Sequence, residues 1–105
     1  MSAWAAFDDG RSIGKVSAEG GVILRDDEHE QGARITLKRG AKHISISCSI
    51  YGKMNHTRFF KTVSDAEHEF NPMKRELGKI VGKIKETKDQ IQMWMEISEF
   101  VRRFE

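Results

Sequence analysis

The sequence predicts one α+β domain: an antiparallel meander of four to five strands, a short helix, and a long C-terminal helix on one sheet face. Three observations carry this prediction. "HISISCSIY" (43–51) alternates apolar and polar residues in the two-residue period of a half-buried strand. At Ser64 the period changes to that of a helix. The chain has 105 residues, 38% hydrophobic and 32% charged, which suits a single globular domain with a modest core. The predicted domain spans 1–105, with a β-sheet region at 1–63 and a helical region at 64–105.

The strands are expected in the order "RSIGKVS", "GGVILRD", "ARITLKR", "HISISCSIY" and "HTRFFKTV". Gly20 and Gly21 suit a turn between the first two, "RGAK" a hairpin into the fourth, and "GKMN" the turn into the last. In the fourth strand Ile44, Ile46, Cys48 and Ile50 share one side, and Ser45, Ser47 and Ser49 the other. The first set is expected under the helix.

"SDAE" at 64–67 has the spacing of a capping box, so a helix is expected to start there. Asn71-Pro72 interrupts it, because the residue before proline resists the α region while proline suits a first helical turn. A short helix at 64–70 and a long one from about 72 are therefore expected. A single kinked helix is the alternative. Met73, Leu77, Ile80, Ile84, Thr87, Ile91, Trp94, Ser98 and Val101 form a heptad-like seam, which favours a continuous helix to the C-terminus. "KETKDQ" is the alternative break, giving a helical hairpin. The order of strands then helix is similar to that of the small dimeric transcriptional-coactivator type of single-stranded DNA-binding domain. That likeness lies in the order of elements and implies a dimer.

A helix over 72–104 would run roughly 50 Å, against about 35 Å for a compact chain of this length. Met93, Ile97, Phe100 and Phe104 make a second stripe beside the seam. The end of the helix is then apolar around much of its circumference and needs cover. A homodimer is expected, with Trp94, Ile97, Phe100, Val101 and Phe104 at its interface. Gly78 and Gly82 suit close approach of the helix to a neighbour.

Charge is segregated along the chain. Arg34 to Lys61 holds seven Lys and Arg and no acid, whereas "DDEHE" at 26–30 holds four acids. The acidic run could offer carboxylates and His29 to a metal, but contiguous residues on a strand point to opposite sides. A solvated hairpin tip flanked by Arg25 and Arg34 is expected, and no metal or other cofactor. Cys48 is the only cysteine. It precludes an intrachain disulfide, is expected buried and inert, and fits a reducing cytoplasm. No signal peptide or membrane span is evident, and no catalytic motif.

The polar sheet side is the main candidate site. Arg34, Lys38, Ser45, Ser47, Tyr51, Arg58 and Phe60 would together offer cations, hydroxyls and aromatic rings to a single-stranded nucleic acid. Arg75, Lys79 and Lys83 add a basic stripe on the helix. Two functions are therefore expected: a non-catalytic dimeric interaction module, or a nucleic-acid-binding dimer. The alternative for the same surface is a plain solvated sheet face.

Overall fold

In the computed structural model, which describes residues 3–18 and 20–105, the chain is an α+β fold. Five strands form one antiparallel sheet in meander order: β1 (Trp4–Ala6), β2 (Val22–His29), β3 (Ala33–Arg39), β4 (Ile44–Ile50) and β5 (Met54–Phe60). Two helices follow, α1 (Val63–Glu86) and α2 (Gln90–Arg103).

The alternation read in β3 and β4 sets the two sheet faces. Ile35 pairs with Cys48 and Cys48 with His56; Leu37 pairs with Ile46 and Ile46 with Arg58. Ala33, Ile35, Leu37, Ile46, Cys48 and Ile50 lie against the helices and are buried. Phe70, Met73, Leu77 and Val81 of α1 complete this core, each almost fully excluded from solvent. Burial of Cys48 pushes its thiol up to about 12, because the thiolate would lose its hydration.

The N-terminal third departs from expectation. "RSIGKVS" is not a strand; it is a turn-rich segment tied to β2 by a Val16–Val22 bridge and by backbone hydrogen bonds of Gly14 and Lys15 with Ile23. The sheet gains the short β1 instead, whose Trp4 lies opposite His29. The Trp4 indole sits edge-on to that imidazole, with ring centroids 4.9 Å apart. Gly78 permits this packing, since a Cβ there would meet the indole nitrogen at 3.1 Å.

Both helix boundaries are corrected. α1 passes through Pro72 without ending, so there is no separate helix at 64–70. An interior proline costs about 3 kcal/mol. Here Phe70 and Met73, on either side of it, are fully buried and hold the segment in place. Thr62 caps the helix, its Oγ1 accepting from the Asp65 amide at 3.0 Å. That start lies two residues before the Ser64 expected from the capping box.

The second correction is the break at 87–89. Thr87 is extended (φ −87°, ψ 141°), and Asp89 caps α2 by accepting from the amides of Ile91 and Gln92. The Thr87 hydroxyl accepts from the Asp89 amide at 3.2 Å. These short polar side chains give the backbone local partners outside the helix, so the chain folds back as a hairpin. The reversal changes which stripe is inside. Ile97, Phe100 and Phe104 are buried against this chain's own core, whereas Ile91 and Trp94 of the expected seam are exposed. Ile97, Phe100 and Phe104 therefore need no second chain to cover them. His56 of β5 receives α2: its ring contacts Phe100, and its Nε2 is 2.7 Å from the Phe104 carbonyl.

Among the described residues no helix is long and apolar enough to cross a membrane.

Candidate functional site

The side of the sheet away from the helices is built from β3, β4 and β5, with the N-terminal segment rising along the β2 side. Arg34, Thr36 and Lys38 project from β3. Ser45, Ser47 and Ser49 project from β4, and Asn55, Thr57 and Phe59 from β5. A β-bulge between Ile23 and Arg25 turns β2 over. It places Ile23 on the Lys38 side and Arg25 on the Leu37 side, since one extra residue reverses the facing of a strand. Ile23, Ser17 and Ala18 then wall a trough of about 460 Å³ over the hydroxyl-rich floor. Ser47 and Thr57 share a hydrogen bond of 3.2 Å across that floor.

One polar cluster stands out beneath the rim. Asp26 is buried, and it accepts from Arg34 Nε at 2.9 Å, from Arg34 Nη2 at 2.7 Å and from the Thr36 hydroxyl at 2.9 Å. The Phe7 ring stacks on the guanidinium, 3.5 Å from Cζ to the ring centroid. The Asp26 carboxylate raises the Arg34 pKa further, so this cation is permanent and fixed in place. The expected hairpin tip at 26–30 is thus corrected. Asp26 and His29 are buried strand residues, Asp27 pairs with Lys74 at 3.0 Å, and Glu28 accepts from the Tyr51 hydroxyl. Burial, and then the hydrogen bond and charge of Glu28, push the Tyr51 phenol up to about 12. Sequence reasoning missed the Asp26 cluster. Its signal lay in the β2–β3 hairpin, where Asp26 faces Thr36 and lies diagonal to Arg34.

The residues named for nucleic-acid contact are therefore divided. Arg34, Lys38, Ser45 and Ser47 share the trough side. Arg58 and Phe60 lie on the helix side, where Arg58 stacks on Phe60 and sits 3.7 Å from Glu69. Phe59 replaces Phe60 on the serine side and is 65% exposed. Tyr51 lies in the β4–β5 turn. The segregation of charge along the chain is also cancelled in space, since acidic β2 lies beside basic β3. The helix stripe is likewise engaged: Lys79 approaches Glu76, and Lys83 approaches Glu96 of α2.

The second candidate surface is the outer side of α2. Ile91 is 73% exposed, and Trp94 and Met95 are each 56% exposed, at spacings that put them on one helical face. Of the residues named for a dimer interface, Trp94 lies on this face, Val101 is half-buried, and the other three are in the core. Among the described residues no group of three or more His, Cys, Asp and Glu could hold a metal ion. Comparison with protein-family models, with curated proteins and with solved structures finds no match.

Proposed function

We propose that the chain is a non-catalytic interaction module that works as a homodimer through the outer face of α2. The observation that carries this reading is the cluster of Ile91, Trp94 and Met95, three large apolar side chains on one turn of one helix, all exposed. Scattered apolar residues on a surface need no explanation, but a contiguous patch marks a contact. Tryptophan and methionine are also enriched at interfaces, and thioether–indole contact adds to the burial. An antiparallel pairing centred near Trp94 and Met95 sets the apolar patches of the two copies against each other. The pairing opposes the two helix dipoles as well. The patch is small, so the dimer is expected to be weak and concentration-dependent.

Light scattering on the size-excluded protein tests this. The intact chain is expected to move from monomer to dimer mass as concentration rises, and Trp94→Glu to stay monomeric with an unchanged melting temperature. A monomer at every concentration would end the reading.

A single-stranded nucleic acid on the serine side is the second reading. Exposed Phe59, beside Ser45 and near Lys38, supports it as a stacking platform. Asp26 leaves only Nη1 of Arg34 for a phosphate. Affinity for a mixed oligonucleotide that falls steeply with salt, and drops in Phe59→Ala, would favour it. Absence of binding at low salt would dismiss it.

A further inference from the structure

We infer that the trough over β3, β4 and β5 binds a small polyol carrying an oxyanion, of the sugar-phosphate or sugar-acid class. The inference is independent of the dimer, because it uses the other side of the molecule. Four observations support it.

First, the trough has the size of a small-molecule site, about 460 Å³. Second, its floor is lined by Thr36, Ser47, Ser49 and Thr57 with Arg34 and Lys38. A hydroxyl has one donor hydrogen and two acceptor lone pairs: Thr36 donates to Asp26 and is left as an acceptor, while Ser49, and whichever of Ser47 and Thr57 does not donate to the other, can meet a polyol hydroxyl in either sense. Third, Arg34 is preorganised. Asp26 holds Nε and Nη2, Phe7 stacks on the plane, and Nη1 is the nitrogen left for a ligand. A guanidinium held by a buried carboxylate loses little freedom when it meets an anion. Fourth, the bulge that turns Ile23 toward the trough closes its β2 side together with Ser17 and Ala18. Short serines leave depth where the long charged side chains common on a wet sheet would fill it. A walled, shallow, hydroxyl-floored depression with one fixed cation matches a compact anionic polyol better than a long polymer.

The test uses the isotope-labelled full chain, followed by amide chemical shifts during titration. The probes are mannitol phosphate, gluconate, mannitol, inorganic phosphate and a mixed single-stranded oligonucleotide. Saturable shifts centred on Ser47, Ser49 and Thr57 are expected with mannitol phosphate or gluconate. Affinity for the better of the two is expected to exceed that for mannitol or inorganic phosphate by about tenfold or more. Which of the two binds better names the oxyanion. Ser47→Leu fills the floor and is expected to abolish the shifts. Thr57→Val, on the edge strand, is expected to weaken binding severalfold and serves if the first variant does not fold. No saturable shift, shifts centred elsewhere, equal affinity for mannitol or phosphate alone, variants that bind like the original chain, or binding of the oligonucleotide alone would each overturn the inference.

Discussion

The two helices draw on similar residues and put them to different use. α1 directs Ala66, Phe70, Met73, Leu77, Ile80 and Val81 into the sheet, and none of its large apolar side chains is exposed. α2 buries Ile97, Phe100 and the following Phe104, yet leaves Ile91, Trp94 and Met95 outside. α1 has one apolar side and one neighbour large enough to cover it. α2 has two apolar sides and only one neighbour, the α1–β5 edge. The difference teaches that apolar content alone does not locate a contact surface. What locates it is the part left over after the chain's own core has been filled.

Variants can break or sharpen this contrast, and the largest effect is expected in the core. Phe70→Ala and Phe100→Ala should each lose about 4 kcal/mol of unfolding free energy in a denaturant melt, since both rings are buried and would leave cavities. If Phe100→Ala costs under about 1 kcal/mol, α2 is not anchored as described. Arg34→Met comes next. It leaves Asp26 buried without its cation and should cost about 3 kcal/mol in the same melt. Asp89→Ala removes the cap that starts α2 and should cost about 1 kcal/mol. A neutral result would favour the continuous helix.

The smallest effect is a dependence on pH. Burial lowers the His29 pKa, and its Nδ1 accepts from the Gln31 amide, which holds the ring neutral. The unfolded chain takes up that proton more readily. Stability should therefore be level above the ordinary histidine value near 6.5 and fall as pH drops below it. Thermal melts across that range should show the decline, and His29→Gln should flatten it.

How much of this was legible beforehand follows from the range of the interactions. β3 and β4 announce themselves, because alternation fixes both the strand and its faces, whereas "HTRFF" announces a strand in β5 but leaves its facing open. β1 has three residues, too few for a period, and is held by Trp4 packing on His29 and Gly78. Pro72 reads locally as a helix start, but the burial of Phe70 and Met73 overrides it. The seam keeps its phase through Thr87 and so suggests continuity. The hairpin is decided by polar caps at Thr87 and Asp89 and by the cover that β5 offers Phe100. On the trough side of the sheet, Ser45, Ser47 and Lys38 are visible from alternation alone. Asp26 is not, because its partners come from hairpin register and its neighbours resemble a solvated acidic run. Phe59 and Phe60 could be told apart only once the β4–β5 register was known.

The contact proposed for α2 is tested most directly by nuclear Overhauser spectroscopy on a half-labelled mixture of the intact chain, filtered for signals between molecules. Cross-peaks from the Trp94 indole to the methyl groups of Ile91 and Met95 on another copy are the result this account requires. A concentrated sample with no such peaks, or with intermolecular peaks confined to Phe59 and the serine side, would contradict it.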